Sequence, residues 1–250
     1  GERAVLFATD PPYLVDYDGT NHPHKWQSAK TYQATEDNQD NWDASEQGEA
    51  LYEGFISIAI EHAIVENAAW YCWHASRRQA MLEALWEKHG AFVHQQIIWR
   101  KDRAILTRSW YMWQHEPCFF GWVKGKKPLR RAEDYPPSVW DFPTIAPGTE
   151  TDHPTAKPVE LFAIPMRQHT VRGDICYEPF SGSGSQIIAG EQLGRRVRAI
   201  EKNPGFVAVA LQRYLDATGH QPELITSDTP SHHGRQKQST TKKAKQARDR

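Results

Sequence analysis

Ala4-Val5-Leu6-Phe7-Ala8-Thr9-Asp10-Pro11-Pro12-Tyr13 is an apolar run that stops abruptly at an acid and two prolines. A short apolar run bounded by turn residues predicts a strand buried on both faces of a parallel sheet. Proline has no N–H for the ladder, so Pro11-Pro12 ends the strand and stiffens an extended backbone with unpaired carbonyls. In open α/β sheets, ligands bind beyond the carboxyl ends of the strands. Asp10 and Tyr13 therefore flank a rigid segment where a site is expected. An acid, a carbonyl and a ring so placed suit a planar amine.

Working outward from Tyr13, a polar, aromatic-dotted segment without sustained period runs to about Gly48. Loops of that length inside a compact domain are functional lids or unstructured. As a lid, this one offers Trp26, Tyr32 and Trp42 as stacking partners for an unstacked base. His22 and His24 lack a Cys or acidic partner at ligand spacing and read as solvated. Residues 49–66 carry Leu51, Phe55, Ile58, Ala59, His62 and Val65 at a helical period. Residues 68–73 read as a buried strand, and 76–89 as a helix stopped by Gly90. Residues 92–99 read as a strand with Val93, Gln95, Ile97 and Trp99 on one face.

Farther along come a short strand at 139–142, a helix to about His169, a strand at 171–177 and a helix at 186–193 closed by Gly194. A strand at 196–200 and a helix from Asn203-Pro204 through Tyr214, closed by Gly219, complete the series. Strands alternating with helices over short connections predict an α/β fold, doubly wound. We expect a mostly parallel, Rossmann-like sheet with helices on both faces.

The 250 residues, 39% hydrophobic and 24% charged, suffice for one such domain with a full core. No apolar run approaches the ~20 residues that span a bilayer, and no signal-peptide pattern opens the chain. The chain enters a strand almost at once after Gly1, so we expect a natural upstream segment. Cys72, Cys118 and Cys176 lie in apolar surroundings without metal spacing and read as reduced core residues. The net charge of −1 conceals an asymmetry: residues 229–250 hold seven basic residues against one acid, a net +6, leaving −7 on the remainder. That tail has no periodicity and reads as disordered, an added attraction for phosphates or a solubilising end.

Residues 109–122 are dense in aromatics and read as a hairpin on the substrate side. Arg100, Lys101, Arg103 and Arg108 precede it, and Lys124, Lys126, Lys127, Arg130 and Arg131 follow. Cations beside exposed rings are what a phosphate backbone and an unstacked base require, so these nine residues are the candidate nucleic-acid contacts.

Three more motifs bear on chemistry. Asp152-His153-Pro154-Thr155-Ala156-Lys157-Pro158 leads into a helix. Glu178-Pro179-Phe180-Ser181-Gly182-Ser183-Gly184 joins a strand to a helix, where glycine lets the backbone approach a ligand at the helix N-terminus. Glu201 ends the next strand about 20 residues after the glycine turn, the place where an acid holds a ribose diol.

With Asp10-Pro11-Pro12-Tyr13, these motifs resemble those of S-adenosylmethionine-dependent DNA amino-methyltransferases, the N6-adenine/N4-cytosine family. Their order, catalytic motif before cofactor motif, is similar to the family's permuted β group. The resemblance implies methyl transfer to the exocyclic amine of a flipped DNA base, with Asp10, Pro11, Pro12 and Tyr13 catalytic. It implies S-adenosylmethionine held by Thr155, Lys157, Glu178, Phe180, Ser181, Gly182, Gly184 and Glu201, with Lys157 near the methionine carboxylate and no metal. Glu178 departs from the family's Asp. A short His-Glu element of the family matches His115-Glu116, to which we give a structural role.

Asp at the first motif position favours adenine, since N4-cytosine relatives more often carry Ser. The N4-cytosine reaction and a catalytically silent DNA- and cofactor-binding subunit stay open, as do the recognition sequence and a homodimer. The resemblance also implies a bacterial restriction–modification setting, cytoplasmic, or a phage-encoded enzyme in such a host. We expect a methyltransferase domain at 1–228, with a substrate half to about 150, a cofactor half from about 151 and a mobile loop at about 15–48, then the basic tail. Only about residues 121–151 are available for the recognition insert of relatives, and the strand and helix that precede the catalytic strand in them are missing.

Overall fold

The apolar run at the N-terminus forms β1 (Ala4–Thr9), and in this computed structural model both its edges are paired. The structure describes residues 1–15, 43, 45, 48–105, 110–145 and 156–225. On one side β1 pairs in parallel with β2 (Ile64–Trp73), from Leu6↔Ala69 to Thr9↔Cys72. On the other it pairs in parallel with β6 (Ile175–Glu178), through Leu6↔Cys176 and Phe7↔Tyr177. With both edges paired and side chains packed on both faces the strand is almost wholly buried, and all its residues but Thr9 are apolar.

The remaining strands are β3 (Ala91–Ile105), β4 (Trp113–Val123), β5 (Val139–Asp141) and β7 (Arg196–Ala199). They complete a seven-stranded sheet in the order β5-β3-β4-β2-β1-β6-β7. Only β4 is antiparallel to its neighbours, because it returns from β3 as a hairpin. The expected mostly parallel, doubly wound sheet is what forms. Chain order leaves β1 toward β2 on one side, whereas β6 and β7 lie on the other. Beyond the carboxyl ends of β1 and β6 is therefore a topological switch point, where such sheets open a crevice.

Alternation along β1 divides the core. Phe7, Trp70, Cys72 and Phe119 face one layer, with Tyr52, Phe55 and Ile56 of α1 (Gly48–Ile58) and Leu82, Leu85 and Trp86 of α2 (Gln79–Lys88). Leu6, Ala8, Tyr71, Trp73 and Trp99 face the other, with Leu161, Phe162 and Met166 of α3 (Glu160–His169) and Ala189 of α4 (Ser185–Leu193). A final helix, α5 (Pro204–Thr218), is capped by the Asn203 side chain, which accepts the N–H of Gly205 at 2.8 Å.

Three local readings change, the first being the strand expected at 171–177, which forms only from Ile175 after a turn at Arg172-Gly173. The expected helix at 49–66 ends through a π turn (Ala59–Ala63), and the β-branched pair Ile64-Val65 instead opens β2. In β3 the register slips between Val93 and Gln95. That bulge turns the strand over: Val93 packs on the α1/α2 layer, Ile97 and Trp99 on the α3 layer, and Gln95 is exposed. The four residues do not share a face.

Residues 1–220 form one compact unit, and 221–250 a second, of which 221–225 are described. The expected lid, with His22, His24, Trp26, Tyr32 and Trp42, and the basic tail lie outside the described residues, as do Arg108 and Thr155. Among the described residues, no helix is long and apolar enough to cross a membrane.

Candidate active site

The chain turns sharply after Tyr13. Leu14 is fully buried with φ at 55°, a left-handed backbone that non-glycine residues rarely adopt. Three long-range groups hold it there. The Asp43 carboxylate accepts the N–H groups of Leu14 (2.7 Å) and Val15 (3.1 Å), and Arg78 donates to the Leu14 carbonyl at 2.6 and 3.1 Å. The Tyr52 hydroxyl donates to the Pro12 carbonyl at 2.8 Å. Strain of this kind persists only where surrounding structure over-determines it, and it collects at functional sites.

The side chains of that turn enter a buried chain of alternating charge. Lys157 Nζ donates to both oxygens of Asp10 at 2.6 Å and to the Tyr13 hydroxyl at 2.9 Å. It also lies 3.1 Å from Glu116 Oε2, to which the Tyr13 hydroxyl donates at 2.7 Å. The other Glu116 oxygen is 2.6 Å from Lys101 Nζ, which sits over the Trp99 ring. The Lys157 ammonium lies 5.1 Å from the centre of the Tyr13 ring and 5.5 Å from that of Trp73.

Burial pulls the pKa of Lys157 down, but Asp10 and Glu116 more than offset it, so the ammonium is held charged. Burial raises the pKa of Asp10; Lys157 opposes and Glu116 reinforces the rise, which persists. Burial acts on Glu116 in the same sense, yet Lys157 and Lys101 together hold it far below the ordinary carboxylate range.

The glycine turn stands beside this chain. Glu178, at the end of β6, accepts the Thr9 hydroxyl at 2.7 Å and the Phe180 N–H at 2.8 Å through one oxygen. Burial pushes its pKa up to about 8. Glu201 accepts the N–H groups of Gly182 and Asn203, each at 2.8 Å, which fixes its carboxylate at the turn. Gly184 holds φ at +77°, and a Cβ there would lie 2.9 Å from the Ala210 Cβ, so only glycine fits. Ser185 Oγ donates to the Lys157 carbonyl at 2.6 Å, joining the turn to the Lys157 segment. Arg213 of α5, itself buried, donates to the Ser183 carbonyl and to both Ser183 and Ser185 hydroxyls. Phe180 packs edge-on against Phe55, at 5.1 Å.

This turn passes a simple test as a ligand cradle. The Ser181 hydroxyl and the second oxygen of Glu178 are buried without a hydrogen-bond partner among the described residues. Buried polar atoms are rarely left so unless something else satisfies them. Lys157 does not stand as expected. Its ammonium is engaged by Asp10, Tyr13 and Glu116 and presents no spare donor for a methionine carboxylate.

Residues 5–212 match the family described as DNA methylase, of N6/N4 type. This chain belongs to that family. It is 24% identical over 246 residues to the Type II methyltransferase M2.MboI of Moraxella bovis, a match covering 86% of this chain and 81% of that protein. Solved structures share the fold. The M1.HpyAVI–SAM complex is 19% identical with a TM-score of 0.61, covering 85% of this chain and 89% of that one. The cytosine-N4-specific PvuII DNA methyltransferase is 14% identical with a TM-score of 0.62, covering 86% and 80%.

In this methylase the expected cationic surface divides in two. Registers Ile105↔Trp113 and Ala91↔Val123 show that β3 ends, and β4 begins, at the carboxyl edge beside Asp10. Arg100 (paired with Asp141), exposed Arg103 and the exposed Trp110, Tyr111 and Met112 lie at that edge. By the end of β4 the chain has crossed to the opposite edge, roughly 33 Å of extended strand away. Lys124, Lys126, Lys127, Arg130 and Arg131 are there. Lys126 pairs with Glu66, Arg130 stacks on Tyr135, and the Arg131 N–H bonds the Gln168 carbonyl at the end of α3. A returning hairpin strand carries the residues after it to the far edge, so these five are corrected away from the site. Lys101 is corrected too: it is buried against Glu116. Sequence reasoning missed Glu116 as a site group, along with Tyr52, Asp43, Arg78 and Arg213. Their partners lie far away in the chain, and no local pattern marks them.

Proposed function

We propose that this methylase transfers the methyl group of S-adenosylmethionine to N6 of an adenine flipped out of DNA. The observation that carries the reading is the setting of Asp10. Its carboxylate, with the Tyr13 hydroxyl and ring, already cradles a nitrogen cation, that of Lys157. An aryl amine that attacks a methyl group becomes cationic at nitrogen, so this cradle is complementary to charge that develops along the reaction.

The cofactor, when bound, supplies an electrophilic methyl on a sulfonium sulfur. Thr155, Glu178, Phe180, Ser181, Gly182, Gly184 and Glu201 would hold it, with the unpartnered Ser181 hydroxyl and Glu178 oxygen as polar contacts. Asp10 and the Pro11 carbonyl accept the two hydrogens of the adenine amine. That draws the lone pair out of conjugation with the ring and aims it at the methyl carbon. The N–C bond forms as the C–S bond breaks, its electron pair staying on sulfur, and the surplus amine proton passes to Asp10. Tyr13 stacks on the base and faces the developing charge. Pro12 keeps the turn rigid, its own carbonyl already committed to Tyr52. Strands β1–β5 form the substrate half and α3–α5 with β6 and β7 the cofactor half. Arg100, Arg103 and the Trp110–Met112 hairpin tip meet the DNA backbone and bases at the carboxyl edge.

Incubation with labelled S-adenosylmethionine and duplex DNA, with digestion to nucleosides afterwards, tests this. N6-methyldeoxyadenosine is expected. N4-methyldeoxycytidine would overturn the choice of base, and absence of both cofactor binding and transfer would overturn the enzyme reading.

A further inference from the structure

The oxygens of Asp10 are occupied by Lys157, yet the proposed reaction needs them for the adenine amine. Lys157 must give them up. Its side chain is only 5% exposed, so an ammonium released from Asp10 has little water to turn to. A second carboxylate stands within reach. Glu116 Oε2 is 3.1 Å from Lys157 Nζ and already accepts the Tyr13 hydroxyl. Glu116 lies directly opposite Trp99 in the β3–β4 hairpin, and Lys101, two residues beyond Trp99, clamps its other oxygen at 2.6 Å. Glu116 is thus anchored to the hairpin, whereas Asp10 sits on the turn after β1.

We infer that Glu116 is a positioning residue of the methyl transfer: it is the second counter-ion onto which Lys157 settles when the target amine takes Asp10. The inference rests on the reaction proposed above. Lys101 holds the Glu116 carboxylate in place, and Tyr13, bonded to both Lys157 and Glu116, keeps its ring oriented through the exchange. The pair His115-Glu116 thereby acquires a role in the reaction through its second member. Without Glu116, freeing Asp10 would strand a cation in a buried site, and Lys157 would compete with the substrate.

The test uses the full chain with Glu116→Gln, Glu116→Asp and the double variant Glu116→Gln/Lys157→Met. For Glu116→Gln, kcat is expected to fall about ten- to a hundredfold, the scale of one charge-assisted hydrogen bond. S-adenosylmethionine affinity by calorimetry should stay within about threefold. Glu116→Asp should recover much of the rate, and adding Lys157→Met to Glu116→Gln should raise kcat above the single variant, since no cation is left to strand. A merely structural Glu116 would show no such relief. The ζ-nitrogen NMR signal of Lys157 reads the exchange without turnover: saturating duplex DNA should move it in the wild type and not in Glu116→Gln. Wild-type kcat in Glu116→Gln, or a loss that Lys157→Met leaves unrelieved, overturns the inference. A wild type whose Lys157 signal moves with DNA but which transfers no methyl sinks the proposed reaction and leaves the exchange standing.

Discussion

Replacing Lys157 with methionine removes the buried cation that links two partly buried carboxylates while nearly preserving side-chain length. Breaking a buried ion pair by deleting one member typically costs about 3–5 kcal/mol, because the other is left uncompensated. Two features lower the figure here. The Asp10 and Glu116 side chains keep 24% and 21% of their exposure, and Lys101 still neutralises Glu116. The expected loss at pH 8 is about 2–3 kcal/mol. For a chain of this size that corresponds to a melting point lower by roughly 5–10 °C.

The sign of the pH dependence comes from the direction of each shift. In the variant, Asp10 retains the burial and the Glu116 charge that raise its pKa and loses the Lys157 charge that lowers it. A carboxyl whose folded pKa is raised penalises the fold only above its unfolded pKa, and the penalty fades as acid protonates it. In the wild type, Glu116 has a lowered folded pKa, so its stabilising contribution is full above the unfolded value and is lost as pH falls. Between pH 8 and pH 5 the Glu116 contribution stays full, so it is the Asp10 effect that shrinks the difference between the proteins on acidification. Urea unfolding monitored by tryptophan fluorescence at pH 8 and pH 5, with unchanged m, measures it. A variant as stable as the wild type at pH 8, or a deficit equal at both pH values, would refute the ion-pair account.

Asp10→Ala should lower methyl transfer at least about a hundredfold, the scale set by removing one preorganised group at a developing charge. Its cofactor affinity, read by calorimetry, should change little; wild-type turnover would remove Asp10 from the mechanism. Glu178→Gln should gain stability relative to the wild type as pH rises from 5 to 8, because over that window the buried carboxyl, with its pKa up at about 8, holds a proton that the unfolded chain has released. Thermal melts without ligand at several pH values report the slope, and a flat difference would contradict it. Gly121→Ala drives a Cβ into the Phe92 backbone carbonyl and against the Trp86 ring, so it should destabilise by about 1–3 kcal/mol or more. Gly54→Ala in α1 meets nothing within 4 Å and should stabilise by about 0.5–1 kcal/mol; equal melting points for the two glycine variants would refute the packing argument.

Much of the frame is legible locally. Strand endings at Pro11-Pro12, the Asn203 cap and the glycines that close α2, α4 and α5 each depend on a few neighbouring residues, and those features stand in the structure. The glycine turn with Glu201 is equally local in origin, and it assembles as a unit. The β3 bulge was invisible because one extra residue reverses a period of two without changing composition.

What the chain states by itself is thus the kind of fold and the motifs that meet at the switch point. Tertiary structure alone decides which charges meet. Lys157 and Asp10 are 147 residues apart, and Lys101 reads as a surface cation until the hairpin register sets it against Glu116. The cations after β4 look continuous with those of β3 until strand reversal carries them to the far edge. Periodicity and capping depend on near neighbours, whereas an ion pair depends on where distant strands come into register.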